Sequence, residues 1–348
     1  MNSILYNGVS VASSPVYGIP KTVTHSKSQT LRQAKIAQLA AARVKMVSSL
    51  AYCHYTYSLS EKSHQPMHLL AKVIRKEGDK QMDLKTVIIK KDDGIATVIM
   101  NRPEVLNAVS TELISDMSMA LDDVASDKTL RTMVLTGAGR GFCAGAQIVK
   151  GEGEMLADLT SQRAEGIRQD IRDVQVLIRK IFNMEIPTVA MVNGPAVGAG
   201  FSFALACDMR VASEKARFRV AFTKLGLVPG TGDTWLLPRL IGLAKAKEII
   251  YLADFIEAPE AERIGLITKL TSSANLESET MALACRLAQG PPIALKLDKM
   301  LMHKGASLDL DAALEMIAAC TPSALTSEDM KEGVLSFKEK REPRFQGI

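Results

Sequence analysis

The stretch GLVPGTGDTWLLPRLIG, Gly226 to Gly242, holds a single acidic residue, Asp233, set among glycines where the chain enters a helical pattern. Two roles suit a carboxylate there. It could shuttle a proton, or it could act as a first-turn acid that satisfies free amides and complements the helix dipole. The sequence leaves both open. If the helix starts near Thr231, Gly230 and Asp233 lie on one face, a turn apart. A carboxylate among Phe222, Leu227, Trp235 and an apolar ligand would be poorly solvated, and its pKa would rise toward neutrality.

The choice of other acid–base groups is narrow. Four of the five histidines (His25, His54, His64 and His68) precede residue 82, and only His303 follows. That argues against a Ser-His-Asp triad or a multi-histidine metal site in the main body. The five cysteines (53, 143, 207, 285 and 320) show no CxxC spacing, which fits a reducing compartment without structural zinc. Cys143 reads as a packing thiol. Asp208 suits a helix-to-strand connection, and Asp254 and Glu257 suit helix entry or subunit contacts. Glu152 and Glu154 read as solvent-exposed acids in a segment over the pocket.

Two further stretches share a design. GRGFCAGAQI (Gly139 to Ile148) and NGPAVGAGFSFALACD (Asn193 to Asp208) each follow a short apolar run and bring small residues to a turn or helix start. Small residues allow close approach to the backbone, and free amides at a helix start favour negative charge. Facing each other, two such turns would form a two-amide clamp for a developing oxyanion. Tight strand–helix packing explains either turn taken alone.

The elements that must hold these groups follow from the hydrophobic pattern. TVIIKK and IATVIMN flank DDG as strand, turn and strand. TELISDMSMALDDVASD has helical spacing of Leu113, Met117 and Leu121, with Ser110 or Thr111 as cap. RTMVLTG and PTVAMVNG read as buried strands, and a long helix covers Arg163 to Phe182. MRVAS and ARFRVAF read as strands, and the chain after Gly230 as mostly helical. Strands alternating with helices, then a helical tail, give an α/β architecture.

Taken in order, NRPEVLNA, GRGFCAGAQI, IPTVAMVNGPAVGAG, KLGLVPGTGDTWLLPRLIG and EAERIGLI resemble the enoyl-CoA hydratase/isomerase (crotonase) family, from about Lys85 to the C-terminus. The resemblance implies a spiral of repeated ββα turns over residues 82–280 and a helical C-terminal trimerisation region over 281–348. It implies an acyl-CoA thioester as substrate, no separate cofactor, and a homotrimer or dimer of trimers. The two amides holding the thioester oxygen would be those of Ala146 and Ala199, beside Gly198. Glu104, Val105 and Leu106, with Ala144, Gln147 and Ile148, would line CoA. Phe337 and Lys340, in SFKEKR, would reach a neighbouring subunit's CoA.

The chain departs from that pattern where it matters. The two hydratase glutamates fall at Ser202 and Phe222, which cannot supply the acid–base pair for syn-addition of water. The nearest local likeness, RVAFTKLGLVPGTGDTWLLPRL, is to ring isomerases of phenylacetyl-CoA breakdown, whose aspartate falls at Gly230 here. An acyl-CoA isomerase using Asp233 is the favoured expectation. A hydratase or hydrolase holding water with Asp233 and Ser202 is the second, and a non-catalytic CoA-ester-binding trimer the third. The acyl pocket depends on Gly151 to Arg163, whose path the sequence does not disclose.

The net charge of +5 divides unevenly. Residues 1–81 carry eleven Lys/Arg against three Asp/Glu, whereas the remainder is slightly acidic and offers no nucleic-acid surface. No apolar run reaches membrane-spanning length. The first sixty residues lack Asp and Glu altogether. Residues 1–81 read either as an extension from a misread start ahead of Met82 or as a transit peptide. The expected location is the cytoplasm, or the mitochondrial matrix on the transit-peptide reading.

Overall fold

The computed structural model describes residues 83–146 and 164–348. Strands β1 (Val87–Asp92) and β2 (Ile95–Met100) pair antiparallel from Val87↔Met100 to Asp92↔Ile95. Asp93 and Gly94 both take positive φ (45° and 75°), the conformation that a two-residue hairpin needs. Helix α1 (Thr111–Ser126) is capped by Ser110, whose Oγ accepts from the Leu113 amide at 3.2 Å. Its Leu113, Met117 and Leu121 stripe is buried, as the spacing predicts.

Next come β3 (Thr132–Gly137), α2 (Ala164–Phe182), β4 (Thr188–Val192), β5 (Ala196–Val197) and α3 (Ala199–Ala206). Every residue of α3 is buried, so this helix is apolar all round rather than amphipathic. Strands β6 (Met209–Ser213) and β7 (Arg217–Arg219) follow. The second is shorter than ARFRVAF suggests, because Thr223–Leu225 turns as a 3₁₀ helix directly after Phe222.

The C-terminal half contains α4 (Asp233–Ile241), α5 (Leu243–Leu252), β8 (Ile256–Glu257), α6 (Ala258–Arg263) and β9 (Lys269–Thr271). Helices α7 (Leu276–Ala288), α8 (Pro292–Gly305), α9 (Leu310–Leu325) and α10 (Glu328–Glu339) complete it. The region is mostly helical, interrupted by two short strands.

The main sheet has the order β1-β2-β3-β4-β6-β9 and is parallel from β2 onward. Both faces are covered, as parallel strands require. Val134, Val189 and Val211 face α7 with Leu276 and Ala284, while Met133, Leu135, Ala190 and Val192 face the larger core. A second sheet, β5-β7-β8, holds the start of α3. Among the described residues no helix is long and apolar enough to cross a membrane.

One polar staple ties the helical tail to this frame. Asp208, between α3 and β6, accepts from the Thr188 amide (2.8 Å) and hydroxyl (2.9 Å) and from Lys299 Nζ of α8 (2.7 Å). Asp208 therefore fixes the helix-to-strand connection expected of it. Arg210 is buried beside it and donates to the carbonyls of Leu266, Ala204 and Cys207.

Candidate active site

The two glycine-rich turns meet. Cys143 bridges to Ala196, and the Val197 amide donates to the Cys143 carbonyl at 2.9 Å. Gly145 sits at φ +84°, and a β-carbon added there would lie 2.6 Å from the Val197 carbonyl oxygen and 3.6 Å from the Ala199 nitrogen. Only glycine permits that backbone and that approach. The turn before Ala146 therefore packs directly on the turn before Ala199. Gly200 closes the contact, because a β-carbon there would lie 2.2 Å from the Cys143 carbonyl oxygen.

Ala199 is the first residue of α3, so its amide has no acceptor within the helix and lies at the positive end of the dipole. Among the described residues no backbone carbonyl accepts from the Ala146 or Ala199 amide. Two neighbouring N–H groups of this kind would suit a developing oxyanion.

The loop before α1 supports the first turn. Pro103–Val105 forms a 3₁₀ turn, after which Leu106 (φ 53°) and Asn107 (φ 58°) turn left-handed. The Leu106 carbonyl accepts from the Ala144 amide at 2.9 Å. Asn107, fully buried, donates to the Ala138 and Gly141 carbonyls at 2.9 Å each and accepts from the Arg102 amide at 2.8 Å. Glu104 is exposed, while Val105 and Leu106 are half-buried against this turn. Gln147, Ile148, Glu152, Glu154 and the segment Gly151 to Arg163 lie outside the described residues.

Asp233 is the centre of the second feature. Helix α4 begins at Asp233 rather than near Thr231, because Gly232 (φ +98°) breaks the helical path before it. The carboxylate is fully buried. It accepts from Ser202 Oγ at 2.9 Å and from Thr231 Oγ1 at 3.1 Å, and those two hydroxyls lie 2.7 Å apart. Ser202 Oγ also lies within donating reach of the Gly198 carbonyl at 3.2 Å, which links the cluster to the turn before Ala199. Burial pushes the Asp233 carboxyl up to about 6, against the opposing pull of Ser202, Thr231 and its own backbone amide. Its side chain thus engages the Ser202 hydroxyl of α3 and the adjacent Thr231 hydroxyl instead of capping later amides of α4.

Three expectations about this neighbourhood need correction. Leu227 and Trp235 do not enclose Asp233, since they are 53% and 41% exposed. Trp235 instead packs edge-on against Phe182 and carries Arg239 over its ring. Asp233 is fully buried within the chain itself, so its desolvation requires no acyl chain. Gly230 does not share the face of Asp233. A β-carbon at Gly230 would meet Ile171 of α2, 3.3 Å away, and its carbonyl accepts from Gln175 Nε2 at 2.8 Å. Asp233 points instead toward α3.

Phe222 lies at the turn before Ala199, where its ring would sit 3.7 Å from a β-carbon on Gly198. Phe337 is 87% exposed on α10, and Lys340 ends that helix in a left-handed turn. Within one chain, neither enters the site. Cys143 is buried with its thiol pushed up to about 12 by desolvation, which leaves it inert. Asp254 pairs with Lys224 at the surface. Among the described residues no cluster of histidine, cysteine or carboxylate side chains could hold a metal. Gln175 has no counterpart in the sequence reading, and Thr231 enters it only as a helix start. The only available signal for Thr231 is its place two residues before an acid at a helix start.

Comparison with known proteins agrees with this geometry. The enoyl-CoA hydratase/isomerase family model matches residues 90–347. A short-chain-enoyl-CoA hydratase of Clostridium acetobutylicum is 34% identical over 75% of this chain and 97% of its own length. The 1,2-epoxyphenylacetyl-CoA isomerase of Escherichia coli is 34% identical over 76% of this chain and 99% of its own. The crystal structure of an enoyl-CoA hydratase from Bacillus anthracis superposes with a TM-score of 0.71 at 31% identity, covering 76% of this chain and all of that one. With its paired glycine turns, its two-sheet frame and these relatives, the chain belongs to the enoyl-CoA hydratase/isomerase (crotonase) family and has its fold.

Proposed function

We propose that the protein is an acyl-CoA isomerase that moves a double bond or opens a ring through a thioester enolate. The amides of Ala146 and Ala199 hold the enolate oxygen. Asp233 removes a proton from one carbon and returns it to another, a task for which one carboxyl suffices. The observation that carries this reading is the pairing of Asp233 with Ser202. The residue at a hydratase glutamate position is bonded to a carboxyl supplied from elsewhere, while the other glutamate position is the apolar Phe222. A carboxyl titrating near 6 is suited to both taking and giving a proton close to neutral pH.

A second reading, an unusual hydratase with water held by Asp233 and Ser202, is favoured by the names of several relatives, such as the clostridial hydratase. Incubation of the full chain with a 3-enoyl-CoA in D₂O separates them. An isomerase yields a 2-enoyl product that is unchanged in composition apart from deuterium. A product heavier by one water overturns the isomerase reading. On either reading CoA arrives with the substrate and no further cofactor is needed. Subunits assemble as a trimer or dimer of trimers in the cytoplasm, and the exposed Phe337 and Lys340 reach a neighbour's CoA.

A further inference from the structure

Asp233 is one corner of a closed triangle of oxygens. The sides are Asp233 Oδ1 to Ser202 Oγ (2.9 Å), Ser202 Oγ to Thr231 Oγ1 (2.7 Å) and Thr231 Oγ1 to Asp233 Oδ2 (3.1 Å). All three residues are buried, with Thr231 at 5% and the others at zero exposure. A proton count distinguishes the two charge states. With the carboxyl neutral there are three protons for the three sides, and the ring closes in either direction when Ser202 Oγ gives its proton to the ring instead of to the Gly198 carbonyl 3.2 Å away. With the carboxyl ionised both hydroxyls turn their protons toward it, and the 2.7 Å contact between them has no proton.

We propose that Thr231 is a positioning residue: with Ser202 it closes a hydroxyl ring that accommodates Asp233 in both protonation states and so poises it to exchange a proton. This rests on the isomerase reading for its use but not for its existence. The neutral state gains a complete ring. The ionised state gains two charge-assisted bonds, which are stronger singly than the neutral ones. Burial alone would hold the carboxyl neutral.

No charged group competes for this role among the described residues. From α2, Gln175, Ile171 and Ile178 face residues 230–232; from α3, Ser202 meets the carboxyl; Phe222 lies at the Gly198 turn beside them. Burial raises the Asp233 titration, hydrogen bonds from Ser202, Thr231 and its own amide oppose that rise, and no ionic neighbour contributes. Cys143, which packs on Gly200 of α3, remains a neutral thiol.

The test is a pH titration of the Asp233 carboxyl in the full-length protein. It would use ¹³C-carboxyl aspartate and infrared difference spectra, with Asp233→Asn to assign the band. Thr231→Val takes one charge-assisted donor from the ionised carboxyl and breaks the weaker bonds of the neutral ring, so the titration should rise by a net shift of up to about one pH unit. Thr231→Ser should restore it. Ser202→Ala should move it in the same direction, so the proposal does not depend on one variant folding. With a turned-over acyl-CoA, the Thr231→Val limb of the kcat–pH profile should move by the same amount while KM changes little. An unmoved titration in both Thr231→Val and Ser202→Ala overturns the ring. A titration that moves without any shift in the rate profile supports the ring and removes Asp233 from the proton transfer.

Discussion

Ser202 on α3 donates a 2.9 Å hydrogen bond to Asp233 at the start of α4, a fully buried contact spanning thirty-one positions of sequence. Within the family likeness, Ser202 stands at a glutamate position of the hydratases, and Asp233 stands where glycine is usual. The carboxyl here stands on the facing helix and meets α3 through the Ser202 hydroxyl.

If Asp233 carries the proton, Asp233→Asn should lower kcat by about 10²- to 10⁴-fold, the usual contribution of a general acid–base group. The amide keeps the volume of the carboxyl and one of its two acceptor oxygens, so a CoA ester should still bind in calorimetry. Turnover equal to that of the unaltered protein would exclude Asp233 from the mechanism.

The same residue should mark the pH dependence of stability. Its folded pKa of about 6 lies above the unfolded reference of 3.8. Between those values the folded chain holds a proton that the unfolded chain has released. Its contribution is therefore greatest at low pH and is lost as pH rises from about 4 to about 6. Relative to Asp233→Asn, the unaltered protein should lose up to about 3 kcal/mol across that window. Urea unfolding of both proteins at pH 4, 5, 6 and 7 measures the difference.

Much of this site was legible in the sequence because it depends on short-range rules. Positive-φ glycines, a serine cap ahead of a Leu113–Met117–Leu121 stripe and strands rich in apolar residues are local signatures, and each marks an element the structure contains. What escaped depends on directions in space. Gly230 and Asp233 are three apart, yet the left-handed Gly232 between them turns one toward Ile171 and the other toward Ser202. Trp235 reads as a pocket aromatic but packs outward on Phe182, and Thr231 acquires meaning only from a partner in another helix.

Gly145 provides a test of the oxyanion clamp that leaves Asp233 untouched. Alanine there is strained at φ +84° and places a methyl 2.6 Å from the Val197 carbonyl. The two turns must separate to admit it. Gly145→Ala should reduce kcat by at least about 10²-fold, the cost of misplacing one oxyanion donor, at a stability cost of about 1–3 kcal/mol. Full activity in a folded Gly145→Ala variant would show that the two amides do not act together.

Lys299 offers the converse, a change felt by the fold and not by the chemistry. Its ammonium is nearly buried, 2.7 Å from Asp208, which also takes the Thr188 amide and hydroxyl. Lys299→Met keeps the length of the side chain but leaves a half-buried carboxylate without its cation. Removing one partner of a buried pair is destabilising, here by up to about 3 kcal/mol, since Thr188 continues to donate two bonds. The melting temperature should fall while kcat per folded protein stays the same, because Asp208 lies at the far end of α3 from the Ala199 amide. A thermal melt alongside steady-state kinetics at a temperature below both transitions separates the two effects. A proportionate loss of kcat in the folded variant would mean that the Asp208–Lys299 staple also sets the position of α3, and with it the oxyanion turn.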